Sequence, residues 1–305
     1  MNPISQFIQQ KIIHTNAEEF VVHLRWATNR LRKFIPINLR NKFPSIGRFI
    51  PASASYPKDD CYFLTRDKTN FKINRSDYVQ WRVFYGVRDN ALAAAKRHLA
   101  DGCVVLDVGA NFGAFSLKLA SYCKENKYES VQIHAFEPNP IAFGNYQNNL
   151  ALNPELKGII QLHSVGFGNE SSERSFHYEN FNTGAGRIVQ DAAKSQLKIR
   201  IQKLDDYVSK LNPLSITFIK LIVEGFEPEV FKGGWNTIKN YKPVIFFEVT
   251  ESWWKENDST IKEVLDKLSG LGYRFEIEHF NEMLPYYPEK YALRTQFNLL
   301  ATLSR

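Results

Sequence analysis

Cysteine is scarce in this chain of 305 residues, limited to Cys61, Cys103 and Cys123. The number is odd and no two stand in a C-x-x-C or other metal-ligand spacing, which argues against a disulfide scaffold and reads as free thiols in a reducing compartment. The seven histidines contain no H-x-x-x-H or H-E-x-x-H pair, so no metal site is expected. No apolar run is long enough to cross a bilayer. The opening residues, MNPISQFIQQKIIHT, lack the basic start, apolar core and small-residue cleavage site of a secretory leader. Together these absences set the expectation of a cytoplasmic protein. Internal repeats and low-complexity runs are missing too.

Acidic residues are absent from residues 20–58, which hold eight lysines or arginines, so the formal charge of +7 is concentrated there. The same stretch carries Phe20, Trp26, Phe34, Phe43 and Phe49. Phe20, Leu24, Ala27 and Leu31 recur at helical spacing and predict a helix over residues 17–34. Pro36, Pro44, Pro51 and Pro57 break the chain beyond it into an irregular strap. Three readings compete for this segment. It packs its apolar residues on the domain or on a second copy of the chain; it rests peripherally on the anionic inner face of a membrane; or it binds nucleic acid, the reading it supports least. The predicted organisation is a basic helical and irregular extension over 1–58, followed by one α/β domain over 59–305. A hydrophobic content of 44% is ample for the domain's core.

The chemistry is concentrated in VVLDVGANFGAFS, residues 104–116. Val104, Val105 and Leu106 form the continuous apolar run of a parallel strand covered on both faces. Asp107 ends it. Gly109 and Gly113 permit positive φ and close approach of a ligand, and helix-compatible residues follow from Ala114. Such a strand, turn and helix place a ligand at the carboxyl end of an open α/β sheet. The next strand, residues 131–136, ends in Glu137, where a carboxylate accepts the two hydroxyls of a ribose.

Glycine spacing separates two cofactor classes. A dinucleotide fingerprint needs G-x-G-x-x-G to cradle a pyrophosphate. This turn reads Gly109-Ala110-Asn111-Phe112-Gly113. Asp107 would repel phosphates, yet it suits a cationic amino group, directly or through water. A ligand with an amine at one end, a free ribose diol at the other and no phosphate is S-adenosylmethionine.

With DVGANFGAFS (107–116), AFEPNP (135–140), NNLALN (148–153), KLDDY (203–207), FIKLIVEGFEPEVFKGG (218–234) and PVIFFEV (243–249) in this order, the chain resembles the FkbM family of S-adenosylmethionine-dependent methyltransferases. The resemblance covers roughly residues 80–250 and is far more specific than a lone glycine loop. It implies a Class I, Rossmann-like fold with a seven-stranded, mostly parallel sheet and an antiparallel edge. It also implies methyl transfer to a hydroxyl of a saccharide, glycolipid or small metabolite. On it, the cofactor-binding candidates are Asp107, Gly109, Asn111, Gly113, Glu137 and Asn139, with Ser164, Gly166 and Phe167 toward the adenine at the end of the third strand.

One position departs from the family. Its KxDxEG pattern becomes Lys220-Leu221-Ile222-Val223-Glu224-Gly225, with isoleucine in place of the aspartate. An acid at that strand end orients or deprotonates an acceptor hydroxyl, and isoleucine does neither. Three explanations stay open: catalysis by positioning, with Glu224 as base and Lys220 as orienting group; a different acceptor; or a catalytically silent cofactor-binding module. Against the first stands a structural reading in which Lys220 and Glu224 merely pair with each other or cap the next helix. Glu248 and Glu251 are reserve bases. Elsewhere, residues 174–178 and 196–202 alternate as an inserted antiparallel pair, with the polar residues 182–186 between them as a loop or lid. Tyr78, Trp81 and Tyr85 read either as the buried stripe of a helix or as the lining of an acceptor pocket.

Overall fold

In the computed structural model of the chain, the described residues are 52–128, 130–179, 182–189, 195–279, 282–291 and 293–303. The predicted helix over 17–34 and most of the basic segment lie outside them. Contacts divide the chain into two units, one comprising residues up to Cys61 with Ile73–Arg88, the other Tyr62–Lys72 with Asp89–Arg305. Strands β1 (Tyr62–Arg66) and β2 (Thr69–Ile73) make a two-stranded sheet.

In the first unit, Asp77 caps α1 (Tyr78–Tyr85) by accepting from the N–H groups of Val79 and Gln80, and Gly86 closes it at φ +82°. Arg75 is bidentate to Asp60 at 2.8 and 2.7 Å, its guanidinium 4.5 Å from the Tyr56 ring centre. The buried side of α1 is Gln80, Val83 and Phe84. Tyr78, Trp81 and Tyr85 instead stack on one another along its less buried side, with centroids 6.1 and 4.9 Å apart. They are therefore not the helix's buried stripe.

The second unit continues with α2 (Asn90–Arg97), β3 (Val104–Val108), α3 (Ala114–Glu125), β4 (Gln132–Phe136), α4 (Pro140–Ala151) and β5 (Ile160–His163). All five residues of β3 are buried, as a strand covered on both faces requires. An inserted segment follows: β6 (Gly166–Phe167), β7 (Ser172–Glu179), β8 (Asn182–Ile188) and β9 (Leu197–Gln202). Then come α5 (Leu204–Leu211), β10 (Ile216–Leu221), α6 (Glu227–Gly233), α7 (Trp235–Tyr241), β11 (Val244–Thr250), α8 (Glu251–Glu256), α9 (Ile261–Gly270), β12 (Tyr273–His279), β13 (Glu282–Pro285) and β14 (Gln296–Leu303).

The main sheet has the order β13-β12-β14-β11-β10-β3-β4-β5. Strands β5, β4, β3, β10 and β11 are parallel, and β14 runs antiparallel between β11 and β12. This is the expected Class I, Rossmann-like architecture. It has eight strands where seven were expected, because Glu282–Pro285 pairs antiparallel with β12. The added strand satisfies backbone groups that β12 would otherwise leave open at the sheet's edge. The antiparallel β14 also lies inside the sheet and not at its rim. β3 pairs with β4 on one side and β10 on the other, so the strand order reverses at β3 and a crevice opens beyond its carboxyl end.

The inserted segment forms a second sheet of order β6-β9-β7-β8. Its antiparallel β7–β9 pair matches the alternation read in the sequence. Residues 182–186, expected as a loop, belong to a strand paired with β7. Cys103 and Cys123 are buried and Cys61 is exposed. Among the described residues, no helix is long and apolar enough to cross a membrane.

Candidate functional site

The turn after β3 bends through three positive-φ residues, Gly109 (+81°), Asn111 (+49°) and Gly113 (+90°). The N–H groups of Gly109 and Ala110 both donate to the Phe136 carbonyl, at 3.0 and 2.9 Å, tying this turn to the end of β4. The close neighbours that require the two glycines belong to the protein itself. A Cβ at Gly109 would fall on the Ile222 carbonyl, and one at Gly113 would stand 2.6 Å from the Tyr146 ring. Asn149, on α4, donates to the Phe112 carbonyl at 3.1 Å and accepts from the Lys72 N–H at 2.8 Å. Asn153 ties back to both Asn149 and Asn70. Asn149, with Asn153 behind it, therefore braces the turn, a role for which the sequence offered only the density of asparagine in NNLALN.

Asp107 has no exposed surface. Its Oδ1 accepts from Lys220 Nζ at 2.9 Å and its Oδ2 from the Ser116 hydroxyl. Lys220 Nζ also donates to the Gly109 carbonyl at 2.9 Å. The two residues face each other across the register Lys220↔Asp107 of β10 and β3. Both oxygens of Asp107 thus have a partner within the chain, the Lys220 ammonium on one and the Ser116 hydroxyl on the other. Lys220 pairs with Asp107 and not with Glu224, which corrects the ion pair considered from the sequence.

Glu137 follows β4 and ties the turn after β3 to the start of α4. Its Oε2 accepts from the Asn111 N–H and its Oε1 from the Asn139 N–H, both at 2.8 Å. Burial pushes its carboxyl up to about 7, partly offset by these N–H donors and by Lys220. A carboxylate offers about four lone-pair sites, so roughly one acceptor site remains on each oxygen. Asn139 caps α4 by accepting from the Ile141 N–H at 3.0 Å. Its own Nδ2 is buried and has no hydrogen-bond partner among the described residues.

The third-strand candidates separate. Ser164 is exposed, whereas Gly166 and Phe167 are buried. The Phe167 ring packs 4.6 Å from Phe136 and 5.9 Å from Tyr207, and a Cβ at Gly166 would meet Ile201 at 2.8 Å. These two residues pack at the join between the sheets, against Phe136 and Tyr207 on one side and Ile201 on the other.

Beyond β10 the chain turns through Glu224 at φ +54° and Gly225 at φ +95°. Glu227, absent from the sequence-based candidates, organises this turn. Its carboxylate accepts from the N–H groups of Val223 (2.8 Å) and Gly225 (3.0 Å) and from Trp254 Nε1 (3.0 Å). Its spacing from Glu224 within EGFE and its place at the start of α6 were the available signals. Burial, then neighbouring Glu248, pushes Glu227 up to about 8. Glu224 is pushed up to about 9 by burial, then by Glu248 and Glu227, against the opposing pull of Lys220. Leu221 is registered with Phe247, which places Ile222 and Glu248 one step further along neighbouring strands. Glu248 accepts from Gln296 Nε2 at 3.0 Å, while Glu251 forms an exposed ion pair with Lys255.

A family model described as "Methyltransferase FkbM domain" matches residues 107–275. The curated "Methyltransferase 1" of Beauveria bassiana (strain ARSEF 2860) is 25% identical over 190 residues, which are 54% of this chain and 71% of that protein. "Methyltransferase sdnD" of Sordaria araneosa is 28% identical over 182 residues, 49% of this chain and 66% of its own length. Among solved structures, the methyltransferase FkbM of Methylobacillus flagellatus KT aligns with a TM-score of 0.43 at 19% identity. That alignment covers 67% of this chain and 44% of that one, so the chain spans less than half of that protein.

Proposed function

On the premise that this chain belongs to the FkbM methyltransferase family, as the match over residues 107–275 establishes, we propose that it is an S-adenosylmethionine-dependent methyltransferase acting on a hydroxyl of a saccharide, glycolipid or small metabolite. The observation that carries the cofactor is Glu137, which binds the main chain of both Asn111 and Asn139 and keeps an acceptor site on each oxygen for a ribose diol. The buried, unpartnered Asn139 Nδ2 fits the same ligand, because it lacks only an acceptor. Glu137, Asn111 and Asn139 would hold the nucleoside, and the bound cofactor would supply an electrophilic methyl group.

The remaining work falls to the chain's own residues. Glu224 takes the proton of the acceptor hydroxyl once it is ionised, and Glu227 holds the N–H groups of the residues before and after it, Val223 and Gly225. Lys220 neutralises Asp107 and ties it to the Gly109 carbonyl, so it positions the turn and does not touch the acceptor. A second reading, a silent cofactor-binding module, is favoured by Ile222 and by the strong hold of Glu224 on its proton.

Calorimetry with S-adenosylmethionine tests the shared premise. Glu137→Gln is expected to weaken binding by roughly 1–3 kcal/mol, the scale of lost hydrogen bonds to a charged group, with thermal unfolding as the control for fold. Unchanged affinity removes the ribose assignment. Transfer of labelled methyl to a saccharide panel separates the enzyme from the silent module.

A further inference from the structure

The inserted sheet contains an irregularity that methyl transfer, as described, does not use. His177 is registered with Arg187 and Glu179 with Asn182, so one residue of β7, Tyr178, stands against four of β8, residues 183–186. These four leave the regular ladder as an irregular bulge, a device that re-aims side chains beside functional sites. Their contacts lie at the cofactor motifs. Thr183 Oγ1 is 3.1 Å from Asn111 Oδ1, and a Cβ at Gly186 would stand 3.6 Å from Asn139 Nδ2. It would also stand 2.8 Å from the Phe176 ring, so a side chain at 186 would lift the bulge.

Arg187 then anchors the far end. Its guanidinium lies 5.5 Å from the Trp253 ring centre and its Nη1 3.5 Å from Glu256 Oε2. Trp253 in turn packs on Gly225, where an added Cβ would meet it at 2.5 Å. One strand thus reaches both asparagines that hold Glu137 and, through Trp253, the turn that carries Glu224.

We propose that residues 183–186 are the cover of the cofactor site, closing over the bound nucleoside while Asn139 Nδ2 donates to one of its ribose oxygens or purine ring nitrogens. This rests on the cofactor reading above. It accounts for an amide donor buried near the bulge without an acceptor among the described residues, an arrangement that is costly unless a ligand completes it. It also accounts for the glycine at 186, where the bulge comes closest to that donor.

The test uses the full chain and S-adenosylmethionine. Amide exchange with and without the ligand is expected to slow at residues 183–188 as well as at 109–113. Thr183→Val and Arg187→Ala are each expected to speed ligand release about tenfold, the scale of one lost hydrogen bond or ion pair. Protection of 109–113 without protection of 183–188, with both variants releasing at the wild-type rate, overturns the cover and leaves the cofactor reading standing. Protection at neither segment sinks both. Two variants at opposite ends of the strand guard against a local folding defect in either one.

Discussion

Replacing Lys220 by methionine removes the cation around which Asp107 is buried. Nζ and Oδ1 lie 2.9 Å apart, and at an effective dielectric near 20 two unit charges at that separation attract by about 6 kcal/mol. Much of this offsets the desolvation of both groups. The measurable quantity is therefore the cost of leaving one charge alone, about 3–5 kcal/mol for a buried pair broken on one side. After Lys220→Met only the Ser116 hydroxyl still faces Asp107, and the Gly109 carbonyl loses a donor. At roughly 2–4 °C per kcal/mol for a domain of this size, Tm should fall by about 6–20 °C. The double variant Asp107→Asn/Lys220→Met removes both charges and should recover most of the loss, giving a coupling well above the few tenths of a kcal/mol seen for independent sites. Urea and thermal unfolding of the four proteins measure this directly. A single variant within about 1 kcal/mol of the wild type, or a double variant no better than the single, would falsify the account of Lys220 as the structural counter-ion. If the recovered double variant loses methyl transfer while Asp107→Asn alone retains it, Lys220 contributes to the reaction beyond holding Asp107.

Two further outcomes concern the carboxylates. Glu137 and Glu227 hold their protons to about 7 and about 8 in the folded chain, whereas in the unfolded chain both ionise near 4.5. The native state therefore binds more protons, and their contribution to stability, complete below pH 4.5, is lost as pH rises through 7 to 8. His134 and His163, whose proton affinity is lowered by burial, act in the opposite sense only below about 6.5. Between pH 6.5 and 8 Tm should accordingly fall with pH in the wild type and less steeply in Glu227→Gln; equal slopes would remove Glu227 from the explanation. Ile222→Asp adds a carboxylate two residues before Glu224 and one step beyond the register of Leu221 with Phe247, in a region where Glu248 and Glu227 already raise Glu224. It should tighten the hold of Glu224 on its proton and slow labelled methyl transfer, whereas a gain of about 10²–10⁴, the usual effect of a well-placed general base, would identify the native chain as impaired.

The main sheet was legible in the sequence because local pattern and global role agree there. Apolar runs such as residues 104–106 and 244–247 admit one environment, burial on both faces, and strand-ending acids such as Asp107 and Glu137 mark the carboxyl ends where a crevice forms. The family and the positive-φ turn were likewise legible from motif order and glycine placement. Pairings between elements distant in sequence were not. Nothing local distinguishes a lysine that meets an acceptor from one spent on Asp107, because the choice depends on the register of β10 against β3, more than 100 residues earlier. The packing of Phe167 and Gly166 between the two sheets was likewise invisible in the local sequence, because Phe136 and Ile201 are brought to them from distant strands. Residues 182–186, with a loop's composition, fall within strand β8, which the ladder of β7 holds at Asn182 and again at Arg187 and Ile188. Glu227 shows the same division: its spacing is visible in EGFE, but only the tertiary structure brings two backbone N–H groups and the Trp254 indole onto one carboxylate. Composition and periodicity determine which residues must leave water. The choice of partner for each buried polar group belongs to register and packing, where an unpaired group is too costly to leave.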